Sequence, residues 1–279
     1  MTTQTAPAQS PARRTITAGG IATAYLEAGT GAPVLMLHGS GPGVSALANW
    51  QNNIPTLAQR FRVLAPDIVG FGATERPADI IYSLRTWTDH VWAFLDAHEI
   101  DRVAVVGNSL GGRIALQMAT DHPDRISRMV LMGAPGVGMV PTDGLKALRA
   151  YQPSREAMRD LLRNYFAVDP ELITDELVET RYAASIADGA HETYRAMFFD
   201  AKHAGSQLGI TEDEVRAIAT PTLLVHGRED KVVPLSVSIT MLDLLPNADL
   251  HVFSRCGHWT QIERGAEFSA LVSDFLSRN

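Results

Sequence analysis

The strongest structural signal in the chain is the stretch Val103-Ala104-Val105-Val106-Gly107-Asn108-Ser109-Leu110-Gly111. Its first four residues are typical of a buried strand, and its last five match G-x-S-x-G. After Ser109 the apolar residues recur at helical spacing: Leu110, Ile114, Ala115 and Met118. A sharp turn from strand to helix would hold the hydroxyl at a helix N-terminus, where free N–H groups favour developing negative charge. We therefore predict that Ser109 is a nucleophile.

Other short apolar runs share this pattern, and each is closed by a turn signal. They are residues 34–37, 62–64, 129–132 and 223–225. Continuous apolar runs that alternate with helical patterns are typical of an open, mostly parallel sheet covered by helices on both faces. Residues 15–27 predict an additional hairpin at one edge of this sheet. The predicted fold class is therefore α/β.

The strand pattern stops between residues 141 and 209, where short amphipathic segments predict helices. Ser154 and Thr174 are the expected N-caps of two of them. Ligands of open α/β sheets bind at the carboxyl ends of the strands, so we expect this insertion to form a helical cap there. The predicted organisation is a loose tail of residues 1–14, a core of residues 15–140 and 210–279, and the helical cap of residues 141–209.

Composition limits the classes of function. The 279 residues are 46% hydrophobic and carry a formal net charge of −7, which argues against a nucleic-acid-binding surface. An anionic substrate would need a local cation in such a protein. The single cysteine, Cys256, excludes an internal disulfide and suits a reducing compartment. Residues 1–14 do not resemble a signal peptide, and no apolar run is long enough to span a bilayer. We therefore expect a cytoplasmic protein.

A serine nucleophile needs a base and a group that orients the base. His258 is the candidate base, because it lies in a loop between the apolar run at 250–253 and the last predicted helix. Asp230 follows the strand predicted at 223–225 and is the candidate acid, with its neighbour Glu229 as the alternative. The chain order Ser…Asp…His is that of hydrolases with a G-x-S-x-G turn. The predicted catalytic residues are therefore Ser109, Asp230 and His258.

The negative charge that develops on the substrate oxygen needs preorganised N–H donors. One is expected from the amide of Leu110, directly after the nucleophile. The other is expected from the loop His38-Gly39-Ser40-Gly41-Pro42-Gly43, in which Ser40 stands between glycines. We interpret His38 as a structural residue of this loop and Cys256 as a packed, unreactive thiol. No metal-binding motif such as H-E-x-x-H is present in the sequence.

Several stretches together resemble the meta-cleavage product hydrolases, a group within the α/β-hydrolase family. They are Leu37-His38-Gly39-Ser40-Gly41-Pro42-Gly43-Val44-Ser45 with Asn49-Trp50, then Gly107-Asn108-Ser109-Leu110-Gly111-Gly112, and finally Gly257-His258-Trp259. The resemblance runs from about residue 15 to the C-terminus and is weakest in the cap. It implies an α/β-hydrolase fold, with a mostly parallel eight-stranded sheet flanked by helices and the helical cap inserted after strand 6. It also implies hydrolysis of a carbon–carbon bond in 2-hydroxy-6-oxohexa-2,4-dienoates, ring-fission products of aromatic catabolism, without a cofactor.

The same resemblance assigns residues by their position in the family's motifs. Ser40 and Leu110 would supply the oxyanion amides. The dienoate end of the substrate would be lined by Asn49, Asn108 and Trp259. Arg181 of the cap would bind the substrate carboxylate, and its alternative interpretation is a solvated charge on the cap surface. The implied partner is a small anionic substrate, and the implied assembly is a homodimer or larger homo-oligomer.

The resemblance also implies a mechanism. His258 would move the dienol proton onto carbon, which turns the leaving fragment into a stabilised enolate, and Ser109 or water would then add to the remote ketone. Hydrogen, methyl, alkyl and aryl substituents at that ketone all stay open, although the HGSGPGVSA string favours products of monocyclic compounds. Two alternative functions are a carboxylesterase or lactonase with the same triad and a small-molecule receptor on a hydrolase fold.

Overall fold

The structure is a computed structural model that describes residues 11–199 and 208–278. Its central element is one eight-stranded sheet. The strands are β1 (Ala12–Ala18), β2 (Ile21–Ala28), β3 (Ala32–Leu37), β4 (Phe61–Pro66), β5 (Val103–Asn108), β6 (Ile126–Met132), β7 (Thr222–Gly227) and β8 (Ala248–Phe253). Their order across the sheet is β1-β2-β4-β3-β5-β6-β7-β8. Strands β3 to β8 pair in parallel, and β1 and β2 form an antiparallel hairpin at one edge. The mostly parallel sheet and its edge hairpin are thus confirmed.

Helices cover both faces of the sheet. They are α1 (Ala46–Trp50), α2 (Ile54–Leu57), α3 (Leu84–Ala97), α4 (Leu110–Asp121), α5 (Asp143–Ala150), α6 (Arg155–Leu161), α7 (Asp175–Ser185), α8 (Ala190–Phe199), α9 (Glu212–Arg216), α10 (Leu235–Leu244), α11 (Thr260–Glu263) and α12 (Gly265–Leu276). Alternate residues of β5 face opposite cores: Val105 packs on the side of α3 and α4, and Val106 on the side of α2 and α12. Burial on both faces explains why the parallel strands are continuously apolar.

The boundary predicted for the N-terminal tail is wrong by three residues. Residues 12–14 belong to β1, where Arg13 and Arg14 pair with Leu26 and Tyr25 of β2. An edge strand can point polar side chains into solvent while its backbone pairs with its neighbour, so polar composition concealed this strand. Of the rest of the predicted tail, residues 1–10 lie outside the described residues.

The helical cap follows β6, as predicted, and its described part comprises α5 to α8. The hydroxyls of Ser154 and Thr174 accept hydrogen bonds from the first-turn amides of α6 and α7, which confirms both N-caps. A π-helical turn, Leu162–Phe166, continues α6 and is closed by a hydrogen bond from the Ala167 amide to the Leu162 carbonyl. The predicted end of the cap is residue 209; residues 200–207, shortly before it, lie outside the described part of the chain.

Candidate active site

Ser109 lies in a strained turn between β5 and α4. Its backbone has φ 51° and ψ −115°; residues other than glycine rarely adopt a positive φ. The turn requires small neighbours, because a Cβ on Gly107 would lie 2.5 Å from the Gly111 carbonyl oxygen. A Cβ on Gly111 would in turn collide with the carbonyl of Leu37 at the end of β3. The turn therefore presents Ser109 at the carboxyl ends of the central strands.

His258 and Asp230 meet beside this turn, although they come from the loops after β8 and β7. The ring Nδ1–H of His258 donates to Asp230 Oδ2 at 2.7 Å, which leaves Nε2 as the basic nitrogen. The other carboxylate oxygen, Oδ1, accepts from the amides of Val232 at 2.7 Å and Val233 at 2.9 Å. Both side chains of the pair are almost fully buried. Asp230 is therefore rigidly held and can fix both the orientation and the tautomer of the imidazole.

The alternative acid, Glu229, points elsewhere. Its carboxylate accepts from the backbone amide of Cys256 at 3.0 Å and from the side chain of Arg228 at 3.0 Å. It is not hydrogen-bonded to His258 in the described part of the chain. Of the two neighbouring carboxylates, the structure brings only Asp230 to the histidine.

Seven of the nine predicted site residues line a common pocket between the strand ends and the helical cap. Those that line it are Ser40, Asn49, Asn108, Ser109, Arg181, His258 and Trp259. The cap adds an apolar wall made of Leu148, Met158, Leu161, Leu162 and Phe166. A wall of this kind suits an apolar group on the substrate, whereas the polar residues lie toward the nucleophile.

Two backbone amides are available to a developing oxyanion near Ser109. Leu110 is the first residue of α4, so its N–H has no partner within the helix. The Ser40 loop packs tightly on the nucleophile turn, since a Cβ on Gly39 would lie 3.2 Å from the Ser109 Cβ. The Ser40 amide donates to no atom within residues 11–199 and 208–278. Both predicted donors are thus free to bind an oxygen of the substrate.

Arg181 on α7 is buried in this pocket, with only 3% of its surface exposed. Its guanidinium donates to the carbonyls of Gly43 at 3.2 Å and Ala48 at 3.1 Å, and it lies 5.1 Å from the ring of Trp259. The Nε atom has no hydrogen-bond partner among the described residues, and no carboxylate there pairs with this cation. Burial lowers the pKa of Arg181 to about 10, so it stays charged at neutral pH. This burial excludes the interpretation of Arg181 as a solvated surface charge.

Two asparagines complete the polar end of the pocket. The side-chain Nδ2 of Asn108 donates to the Met132 carbonyl at 3.3 Å. Asn49 is buried, and its Nδ2 is unpaired within the described chain. A buried, unpaired donor is costly unless a ligand or water satisfies it, so Asn49 is suited to bind a polar group of the substrate.

His38 and Cys256 have structural environments. The Nδ1–H of His38 donates to the Gly39 carbonyl at 2.7 Å, and its Nε2 accepts from the Ile68 amide at 3.0 Å. Burial lowers the pKa of His38, which keeps the ring neutral in this role. Cys256 is fully buried, and burial raises the pKa of its thiol. No group of three or more His, Cys, Asp or Glu suited to a metal occurs in the described residues.

A second histidine, which no sequence motif indicated, lies beside the acid. His226 is completely buried at the end of β7, and its Nε2 lies 3.4 Å from Asp230 Oδ2. Nε2–H donates to the Val233 carbonyl at 2.9 Å, and the Ser238 hydroxyl donates to Nδ1 at 2.7 Å. Burial lowers the pKa of His226, so the ring is neutral. The available signal was a polar residue inside an otherwise apolar strand.

Comparisons with known proteins agree with this geometry. The sequence model of the alpha/beta hydrolase fold family matches residues 32–265. A 2-hydroxymuconate semialdehyde hydrolase of Pseudomonas sp. (strain CF600) is 50% identical over 98% of this chain and 96% of its own length. A 2-hydroxy-6-oxo-2,4-heptadienoate hydrolase of Pseudomonas putida is 46% identical over 95% of this chain and 96% of its own.

A solved structure is similarly close. The meta-cleavage product hydrolase CumD from Pseudomonas fluorescens IP01 superposes with a TM-score of 0.91 at 46% identity, covering 94% of this chain and 97% of its own. The match spans both the sheet and the cap, well beyond the short motifs around the nucleophile. The chain therefore belongs to the α/β-hydrolase family and, within it, to the group of meta-cleavage product hydrolases.

Proposed function

We propose that the protein hydrolyses a carbon–carbon bond in 2-hydroxy-6-oxohexa-2,4-dienoates formed by ring fission of aromatic compounds, with Ser109, His258 and Asp230 as its catalytic triad. The observation that carries this proposal is the buried cation of Arg181 in the same pocket as Ser109 and His258. A simple esterase gains nothing from a desolvated guanidinium without an acidic partner, whereas a dienoate brings a carboxylate to it. The names of the two Pseudomonas relatives describe such substrates.

The first step is a proton transfer that prepares the leaving group. With the substrate carboxylate on Arg181, the dienol hydroxyl lies at the polar end, near Asn49 and Asn108. The free Nε2 of His258 is the group that can accept this proton and return it to carbon. The product is a ketone tautomer in which the fragment next to the bond to be broken can depart as an enolate.

The second step breaks the carbon–carbon bond. Ser109 or an activated water adds to the remote carbonyl carbon, and the Ser40 and Leu110 amides stabilise the oxyanion. His258 takes the proton of the adding Ser109 hydroxyl or water. The bond to the dienoate fragment then breaks, its electron pair leaves as an enolate, and the same proton passes from His258 to the enolate oxygen to give 2-hydroxypenta-2,4-dienoate. Water supplies the hydroxyl of the carboxylic acid that forms the other product. No cofactor takes part in these steps.

The apolar wall of the cap favours a small substituent at the remote carbonyl. Leu148, Met158 and Leu161 line the same pocket as Ser109, and bulky side chains there leave more room for hydrogen or methyl than for a phenyl ring. We therefore propose that semialdehyde and methyl ketone substrates are preferred over aryl ketones.

The proposal is tested with a stopped-flow trace of the protein mixed with 2-hydroxymuconic semialdehyde and its 6-methyl and 6-phenyl analogues. We expect rapid loss of the dienolate absorbance and formation of 2-hydroxypenta-2,4-dienoate, fastest with the two smaller substrates. Ser109→Ala should bind these substrates and abolish cleavage. Rapid hydrolysis of p-nitrophenyl acetate beside an unchanged dienolate would instead indicate a carboxylesterase.

The cellular setting is also a proposal. No helix within residues 11–199 and 208–278 is long and apolar enough to cross a membrane. The single buried cysteine is compatible with a reducing compartment, and we propose the cytoplasm. We further propose a homodimer or larger homo-oligomer, which a molar mass measured by light scattering would test.

A further inference from the structure

The loop that carries His258 is joined directly to the helical cap. The backbone N–H of His258 donates to the Phe166 carbonyl, at the end of the π-helical turn, at 2.9 Å. The two segments are so close that a Cβ on Gly257 would lie 2.6 Å from the same oxygen. The Phe166 ring also meets the His258 ring edge-on at 5.5 Å between centroids. The placement of the base therefore depends on the cap.

Glu263 at the end of α11 bridges the same two segments. Its Oε1 accepts from the Gly257 amide at 2.7 Å, and its Oε2 accepts from the Val168 amide at 2.7 Å. Cys256 Sγ lies 3.8 Å from Oε1 on the same side. One carboxylate thus holds the residue before His258 and the second residue after Phe166.

A carboxylate is the side chain that this bridge requires. It has two acceptor oxygens and no donor, so it can satisfy two amides that point toward each other. Burial raises the pKa of Glu263, and backbone amides, those of Val168 and Gly257 before that of Asp169, oppose that effect by stabilising the charged form. A glutamine could satisfy only one amide, because its NH2 group would face the other N–H.

We propose that Glu263 is a positioning residue that aligns His258 with Ser109 by tying the histidine loop to the cap at Val168. It does not touch the substrate; it acts through the Gly257 and His258 backbone. This inference rests on the proposed function, in which His258 is the base. Its consequence is that the position of the base depends on the position of the cap.

Glu263→Gln tests the proposal, with Glu267→Gln as the matched control. Glu267 is an exposed acid one turn further along, on α12, whose carboxylate lies 3.7 Å from Arg264. We expect Glu263→Gln to lower kcat about tenfold or more with KM within about twofold, because a small displacement of a base slows chemistry without changing carboxylate binding. The control should keep both constants. Glu263→Asp keeps two acceptors but is one methylene shorter, so we expect an intermediate loss.

Hydrogen exchange separates positioning from a general loss of structure. In Glu263→Gln the amides of residues 166–169 and 256–259 should exchange faster, while the sheet amides and the melting temperature stay close to the wild type. Unchanged kcat in both Glu263 variants would overturn the inference. So would equal losses of kcat in Glu263→Gln and Glu267→Gln.

Failure of the proposed function and failure of this inference give different results. If the wild-type protein does not cleave the dienolate, the proposed function fails. The Glu263 comparison is then made on p-nitrophenyl acetate, whose hydrolysis also needs an aligned His258. A tenfold loss there would keep the inference, and equal rates for wild type and Glu263→Gln would overturn it.

Discussion

At the scale of single residues, Arg181 distinguishes a dienoate hydrolase from a simple esterase. Arg181→Gln removes the cation and should raise KM for 2-hydroxymuconic semialdehyde by about 10-fold to 100-fold, the loss expected for a charge-assisted pair worth roughly 1.5–3 kcal/mol. Hydrolysis of p-nitrophenyl acetate, which has no carboxylate, should change little. Steady-state kinetics with both substrates gives the comparison.

The matched control for this substitution is Arg155→Gln. Arg155 also belongs to the cap, but it is exposed and pairs with Glu179. Its replacement should leave both KM values near those of the wild type. Equal effects of the two substitutions would show that cap charge in general, and not the buried guanidinium, sets the affinity.

At the scale of elements, the β5–α4 turn depends on the missing side chain of Gly107. Gly107→Ala would place a Cβ 2.5 Å from the Gly111 carbonyl oxygen, which is backbone and cannot rotate away. We expect the free energy of unfolding to fall by about 2–4 kcal/mol, in the range of severe core substitutions, together with loss of activity. Denaturant unfolding measures the first effect.

Gly209→Ala is the control for that experiment. A Cβ there meets no atom of residues 11–199 or 208–278 within 4 Å, and the residue does not have a positive φ. We expect its stability to stay within about 0.5 kcal/mol of the wild type, as for most surface substitutions. If Gly107→Ala were equally stable, the packing of α4 against β5 would not be the constraint described here.

At the scale of the whole molecule, buried neutral histidines make folding depend on pH. His90 donates from Nε2 to the Thr23 hydroxyl at 2.8 Å and accepts the Val69 amide at Nδ1 at 3.3 Å. Burial lowers the pKa of His90 from 6.5 to about 4. Since the unfolded chain takes up this proton first, stability is full above pH 6.5 and falls as the pH drops toward 4, by about 3 kcal/mol for His90 alone.

Denaturant unfolding between pH 4 and pH 8 measures this dependence. His90→Gln should lower stability at pH 8 but flatten the acid slope, because the group that takes up a proton on unfolding is gone. His251→Gln, at an exposed position of β8, should keep the wild-type slope. An unchanged slope in His90→Gln would contradict the assignment of His90 as a buried neutral ring.

Local patterns in the chain were sufficient for the elements and for the types of group in the site. The run at 103–106, the glycines of the nucleophile turn and the N-caps Ser154 and Thr174 act over a few residues, through steric limits and short-range hydrogen bonds. Motif strings and chain order predicted Ser109, His258 and an acid directly after the strand at 223–225. They favoured Asp230 and kept Glu229 as the alternative, since both follow the same strand.

The remaining features of the site depend on packing between segments that are distant in sequence. Arg181 reaches the Gly43 carbonyl across 138 residues of sequence, and Glu263 reaches the Val168 amide across 95. Such contacts produce no periodic pattern in the sequence, because the residues next to each partner do not indicate which distant segment it will contact. Local sequence patterns thus determined the G-x-S-x-G turn and the parallel sheet that carries it. Only the folded arrangement decided that Asp230 and not Glu229 is hydrogen-bonded to His258, that Arg181 is buried, and how the cap holds the base, since these depend on distances between elements.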